Sequence, residues 1–239
     1  MKVGLLLIGD ELLSGKIKDK NGHLVAQTCF ARGLELHEIR VVPDQVATIA
    51  SVIETMSGQW DVVITSGGIG PTHDDKTFEA LSQAFAQPLE THEPTRQKLE
   101  GYLSSRGQVL NNARMKMVRF PKGAVVEGFP DVWLPLVSFK NIFILPGVPS
   151  LFAMLLPPVF QRFSGTPKKL VELGTQMPEG DLAEDLSRAL EKWPEIDIGS
   201  YPQERGNAFR VKICLESINQ QALEEAVHWL CETLQAKKL

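Results

Sequence analysis

The sequence predicts an α/β protein, a mostly parallel sheet with helices on both faces, followed by a small α+β unit. Three observations carry this reading. The runs "VGLLLIG" (3–9) and "WDVVITS" (60–66) are apolar without alternation, the pattern of strands covered on both faces. Segments with helical spacing separate the strand-like runs, as parallel strands require, because each pair must be joined by a right-handed crossover. Past "SGTPKK" (164–169), a short polar stretch punctuated by glycine and proline, a second strand and helix pattern begins.

Each element follows in order. Leu24, Val25, Thr28 and Cys29 share a helical face, and Gly33 stands just beyond as a C-terminal stop. "LELHEIRVV" reads as a strand, and behind Asp44 as a cap, Val46, Ile49, Val52, Ile53 and Met56 recur at helical spacing. "TFEALSQAF" and "PTRQKLEGYLSSRG" read as helices, and "VWLPLVSF" and "NIFILPG" as strands. "PSLFAMLLPPVFQRF" reads as a closing helix that Pro157 and Pro158 should bend. In the second unit the order is strand "LVELGTQ", helix "GDLAEDLSRALEKW", strands "IDIGSYP" and "FRVKICLES", and a helix over 220–235. The boundaries are 1–165 for the α/β domain and 168–239 for the small one.

The 239 residues, 43% hydrophobic and 23% charged, have ordinary globular composition. A formal charge of −4 gives no general attraction to nucleic acid or anionic lipid, so neither is an expected partner. Cys29, Cys214 and Cys231 lack metal or redox spacing and fall in apolar-patterned segments, which suits buried reduced thiols and a cytoplasmic setting. The run "LFAMLLPPVF" is too short to span a bilayer.

Two phosphate-loop patterns come close without matching. "GDELLSGK" has five residues between its glycines and Ile17 after Lys16, so it is not a Walker-type loop. "GGIGPTH" has His73 where a dinucleotide fingerprint needs its last glycine. What remains is position. Ligands in open α/β sheets settle beyond the carboxyl ends of strands, and three such ends carry glycine: Gly9 with Asp10 and Glu11; Gly67, Gly68 and Gly70 with Asp74 and Asp75; and Pro146, Gly147 and Pro149. Glycines admit an oxyanion to backbone amides, and the helix starting near Asp75 would aim its positive end there. Four carboxylates would repel a phosphate unless a hard divalent cation lay between them. The same loop also suits a set of turns in which Asp74 or Asp75 only caps the next helix. His23, His37, His92 and His228 stand singly; His73, inside the loop, could reach a ligand or face solvent.

"GDELLSGKIKDKN", "TSGGIGPTHDDKT", "NNARMKMVRFPKGA" and "LPGVPS" together resemble the molybdopterin-binding domains of molybdopterin adenylyltransferases and of CinA N-terminal parts. The tail "PEGDLAEDLSRAL…IDIGSYP…FRVKICLES" is similar to the small domain that follows in the CinA type and in eukaryotic FAD synthases. The resemblance implies a three-layer α/β/α fold and a metal-dependent nucleotide pyrophosphatase acting on ADP-ribose or FAD-like diphosphates, using Mg2+, Mn2+ or Co2+. Its alternative is a binding or adenylyl-transfer protein for a pterin phosphate in molybdenum cofactor biosynthesis. Carried over by position, Asp75 and Asp74 are the catalytic candidates, and Asp10, Glu11, Asp74 and Asp75 the metal candidates. Gly67, Gly68, Gly70 and Thr72 would cradle phosphate. Gly9, Asn21, Ser66, Pro71, His73, Thr77, Pro146 and Gly147 would complete the ligand site. The resemblance also implies a homodimer. Leu151 and Phe152 stand where the CinA pattern carries an acidic residue and a methionine. A pocket blocked by these two side chains would mark a domain kept only for protein contacts. No stretch resembles the amide-hydrolysing domain of CinA or the nucleotidyl-transferring domain of FAD synthase, so neither nicotinamide-nucleotide deamidation nor FAD synthesis is expected.

Overall fold

Strand β1 (Lys2–Ile8) is an interior strand of the main sheet, and the apolar run that composes it is buried on both faces. The elements after it are α1 (Asp10–Leu13), α2 (Asn21–Ala31), β2 (Glu35–Val42), α3 (Val46–Gln59), β3 (Val62–Ser66) and α4 (Thr77–Ala84). Then come β4 (Leu89–Thr91), α5 (Glu93–Ser104), α6 (Asn112–Met115), β5 (Arg119–Pro121), β6 (Val125–Phe129), β7 (Val132–Phe139), β8 (Ile142–Leu145) and α7 (Pro149–Phe160). In this computed structural model, residues 1–239 are described except 131 and 205. They divide into two units, Met1–Gly165 and Thr166–Leu239.

The six-stranded sheet of the first unit has the order β2-β1-β3-β8-β7-β6. β1 pairs in parallel with β2 and β3, and β3 with β8, while β7 runs antiparallel to both its neighbours, β8 and β6. Successive side chains of a strand point to opposite faces, so β1 feeds two cores. Val3, Leu5 and Leu7 pack with Val25 and Cys29 of α2 and with Phe152, Leu155 and Phe160 of α7. Leu6 and Ile8 pack with Ile49, Ile53 and Met56 of α3 and with Phe78 and Leu81 of α4. Three layers result. The chain leaves β1 for β2 on one side and returns to β3 on the other, so the carboxyl ends of β1 and β3 flank the topological switch point, where open α/β sheets bind ligands.

Gly33 ends α2 at φ +65, a backbone conformation that glycine adopts without penalty. Other expectations need correction. α3 is not capped by Asp44; Gln45 precedes its first residue without a side-chain cap, and Asp44 Oδ2 instead accepts the Asp10 amide at 2.9 Å. The closing helix expected from sequence is present as α7, which contains Pro157 and Pro158 and runs on to Phe160. Their missing amides would have met the carbonyls of Ala153 and Met154, and those residues are exposed, so water can serve instead. Cys29 is buried, and burial pushes its thiol up to about 11, but Cys214 and Cys231 are only half-buried. Among the described residues no helix is long and apolar enough to cross a membrane.

In the second unit, β9 (Lys169–Thr175), α8 (Glu179–Lys192), β10 (Asp197–Pro202), β11 (Val211–Ser217), α9 (Gln220–Thr233) and β12 (Lys237–Lys238) build an antiparallel sheet in the order β10-β11-β9-β12. β11 alternates strictly: Val211, Ile213 and Leu215 are buried with Leu182 of α8 and Leu223 and Leu230 of α9. Outward-facing Lys212 pairs with Glu172 of the neighbouring strand at 2.8 Å.

Thr65 of β3 is fully buried, and its hydroxyl has no hydrogen-bond partner among the described residues. Its cross-strand neighbours are Leu6 and Ile144, both in the core beneath α3. An orphaned hydroxyl loses its hydration for nothing, so Thr65→Val, which keeps the shape, should stabilise the protein by about 1 kcal/mol. Urea denaturation checks this, and a lower midpoint for the variant would contradict it.

Candidate functional site

The ends of β1, β3 and β8 meet around one buried side chain. Asn21, the first residue of α2, is held by Asp19, whose carboxylate accepts the amides of Asn21 at 2.9 Å and Gly22 at 3.0 Å. The Asn21 amide group donates to Ser66 Oγ at the end of β3 and to the Gly147 carbonyl after β8, each at 2.9 Å. This side chain thereby fixes the spacing of two strand ends and the start of a helix.

The loop after β3 is organised by Asp75. One carboxylate oxygen accepts the Gly70 amide at 2.6 Å; the other accepts the Thr72 amide at 2.8 Å and the Thr72 hydroxyl at 2.5 Å. The carboxylate lies so close over Gly70 that a Cβ there would sit 2.6 Å from it. Lys116 clamps the same loop by donating to the carbonyls of Thr72 and Asp75 at 3.0 and 3.1 Å. Thr77 closes it, its hydroxyl donating to the Gly67 carbonyl at 2.8 Å and its amide to that of Gly68 at 2.9 Å. Asp75 and Asp74 therefore cap no helix: α4 starts at Thr77 without a side-chain cap.

A cavity of about 510 Å³ opens over these strand ends. Of the residues singled out from sequence, Gly9, Glu11, Asn21, Ser66, Gly67, Gly68, Gly70, Pro71, Asp74, Asp75, Pro146 and Gly147 line it. Asp10, Thr72, His73 and Thr77 do not: His73 is exposed, Thr77 is buried in its loop bonds, and Thr72 is turned to Asp75. Leu151 forms part of the wall, whereas Phe152 is fully buried in the core, so the two do not block the cavity. Sequence reasoning missed Asp44, Lys18, Lys20, Met117 and Trp133, which also line it. Asp44 carries the same signal as the others, a carboxylate just beyond a strand.

The acids lie within electrostatic reach of one another. Burial raises the Asp44 carboxyl, and repulsion from Asp10, Glu11 and Asp74 adds to that, outweighing the hydrogen bond from the Asp10 amide. The Thr72 hydroxyl, which donates to Asp75, also lies against Asp74 and with Asp74's own amide holds that carboxyl below the usual range. Among the described residues no three or more His, Cys, Asp or Glu are gathered into a metal cage. The all-carboxylate donor set instead fits a hard cation that shares its shell between one or two protein oxygens and ligand phosphates, the usual magnesium arrangement. Glu11, Asp44 and Asp74 line the cavity, and one or two of them could hold such a cation together with oxygens of a ligand.

Residues 4–163 match the family described as "Probable molybdopterin binding domain", and residues 169–239 match "FAD synthase, middle domain". The chain is 29% identical over 255 residues to a protein of Caenorhabditis elegans named "Probable FAD synthase", covering 96% of this chain and 49% of that one. A Pyrococcus abyssi protein is 34% identical over 248 residues, covering 96% of both chains. The crystal structure of CinA from Thermoplasma acidophilum, a protein described as of unknown function, is similar with a TM-score of 0.61 and 26% identity, covering 67% of this chain and 96% of that one. The chain spans about half the length of the FAD synthases it matches.

Proposed function

Because the chain belongs to the molybdopterin-binding domain family in its CinA-like form, we propose that residues 1–165 bind a nucleotide diphosphate such as ADP-ribose or FAD and hydrolyse its pyrophosphate with a divalent cation. The observation that supports this most is the joint presence of three carboxylates, Glu11, Asp44 and Asp74, and the glycine loop held by Asp75 around one cavity. The loop glycines leave backbone approachable by phosphate oxygens, and Lys18 and Lys20 on the cavity rim add positive charge. Asn21 keeps Oδ1 without a hydrogen bond among the described residues while spending both amide hydrogens on the scaffold, so that oxygen can accept from a ligand. A cation shared with the diphosphate would neutralise charge on the phosphoryl oxygens. Glu11, exposed enough to meet solvent, orients the attacking water and takes its proton, while Asp74, its carboxyl held below the usual range, stays ionised toward the cation. Asp75, with both oxygens engaged in the loop, acts by positioning.

A second reading, a pterin phosphate held without hydrolysis, is favoured by the description of the family itself. One experiment separates the two. ADP-ribose, FAD and NAD are incubated with the protein and Mg2+, Mn2+ or Co2+, and AMP release is read by chromatography. Release that chelation of the metal abolishes supports the hydrolase. Calorimetric binding of a pterin phosphate, with no AMP from any of the three compounds, supports the second reading.

A further inference from the structure

The hydrolytic reading concerns the diphosphate; the rest of the cavity is unlike a phosphate site. Trp133, Leu134, Met117, Val148 and Leu151 line it with apolar surface. Their place follows from the sheet. β7 is antiparallel to β8, with Phe139 beside Ile142 and Val137 beside Ile144, so its first residues lie beside the turn that follows β8. An antiparallel strand thus brings its amino end to the edge where the parallel strands end. Along that edge the order is β2, β1, β3, β8, β7. Asp44 follows β2, Glu11 follows β1, the glycine loop follows β3, and Trp133 stands on β7. Adjacent strands are about 4.8 Å apart, so three steps separate β1 from β7 by roughly 14 Å. Acids occupy one side of the row, and an indole the other.

Trp133 is only half-buried, yet it is braced. It packs against the small cluster of Leu99, Leu103 and Val118, and its ring lies 6.0 Å from that of Tyr102 at an angle of 37°. A braced aromatic ring on the wall of an otherwise apolar recess offers a rigid π-face, and Met117 beside it adds a polarisable neighbour. Such a face can stack a planar heterocycle and offers nothing to a bare phosphate.

We propose that Trp133 and the apolar recess around it bind the planar heteroaromatic ring of the ligand, stacking it on the indole while the glycine loop and acids hold the diphosphate. This rests on the diphosphate site described above. It restricts the substrate class to compounds in which a flat nitrogen heterocycle is joined through a sugar-length spacer to a diphosphate. Inorganic pyrophosphate and sugar diphosphates without a base would fill only half of the cavity.

The test uses the full chain and two probes, ADP-ribose with Mg2+ and inorganic pyrophosphate with Mg2+. Each is titrated calorimetrically into wild type, Trp133→Phe and Trp133→Leu, with circular dichroism confirming that both variants are folded. The phenyl ring should keep ADP-ribose affinity within about threefold, whereas leucine should weaken it about tenfold or more, the loss expected for one base–aromatic stack. Pyrophosphate should bind all three equally. Trp133→Leu binding ADP-ribose as tightly as wild type would overturn the proposal. So would an equal loss of pyrophosphate affinity, or wild type failing to bind ADP-ribose. AMP release on the same samples keeps the two readings apart. Binding that depends on Trp133 without AMP release sinks the hydrolase and keeps the ring site; AMP release with unchanged affinity in Trp133→Leu does the reverse.

Discussion

Asp75→Asn should lower AMP release by 10²-fold to 10³-fold while leaving the fold in place. The two Asp75 oxygens together accept three donors from the loop, the Gly70 amide, the Thr72 amide and the Thr72 hydroxyl. Asparagine has one acceptor oxygen and one NH2 group, so at least one backbone amide would face another donor and lose its partner. An ionised acceptor makes roughly twice as strong a hydrogen bond as a neutral one, so the bonds that survive are weaker too. The loop proposed to present its backbone to the phosphates would lose its shape. Loss of a single pre-set donor at a reacting oxyanion costs about 10²-fold to 10³-fold, and the same scale applies here.

The rest of the domain has its own supports. α4 is anchored by Thr77 on the carbonyls of Gly67 and Gly68, and neither bond involves Asp75. The thermal midpoint of Asp75→Asn should therefore stay within a few degrees of wild type. Thr72→Ala removes only the hydroxyl donor and should lose activity by about tenfold or less. A positioning role predicts that order, with kcat falling more than KM rises. An Asp75→Asn enzyme that releases AMP at the wild-type rate would remove Asp75 from the proposed reaction altogether.

These expectations show how unevenly the sequence exposes its structure. β1 and β3 are legible because burial on both faces writes a continuous apolar run, and α2 because Gly33 ends it. β4 and β5, of three residues each, and the half-exposed five-residue β6 carry too little period to be seen. The direction of β7 has no local signature, because antiparallel pairing with β8 is a property of the sheet. Trp133 was invisible as a cavity residue for that reason. The strand-end rule reaches Gly9, Glu11, Gly67, Gly70 and Gly147, all on the cavity wall. The same rule reaches Asp10, and the family resemblance reaches Thr72, His73 and Thr77, none of which lines the cavity, because neighbours in a loop point in different directions. Asp44 stayed hidden because a carboxylate before a helix looks like a cap, although its partner, the Asp10 amide, is 34 positions away in sequence.

Gly67→Ala is the substitution that should damage both the fold and the site. Gly67 has φ +105, outside the region that residues with a side chain readily adopt, and a Cβ there would lie 2.3 Å from the Ile8 carbonyl oxygen. That oxygen belongs to the backbone of β1 and cannot swing aside as a flexible side chain would. Gly67 also donates its amide to Leu145 at 3.1 Å and accepts the Thr77 hydroxyl at 2.8 Å, so moving it disturbs β8 and α4 with β1. Conformational strain and the clash together should destabilise the first unit by about 3 kcal/mol. Gly15→Ala is the control, since Gly15 has φ +69 but nothing within 4 Å of a new Cβ, and it should cost only about 1 kcal/mol. Hydrogen exchange of the β1 and β3 amides reads the opening free energy of this unit separately from the second one. Equal protection in the two variants would mean that the strand ends can part without cost, and the rigid junction on which the site depends would not exist.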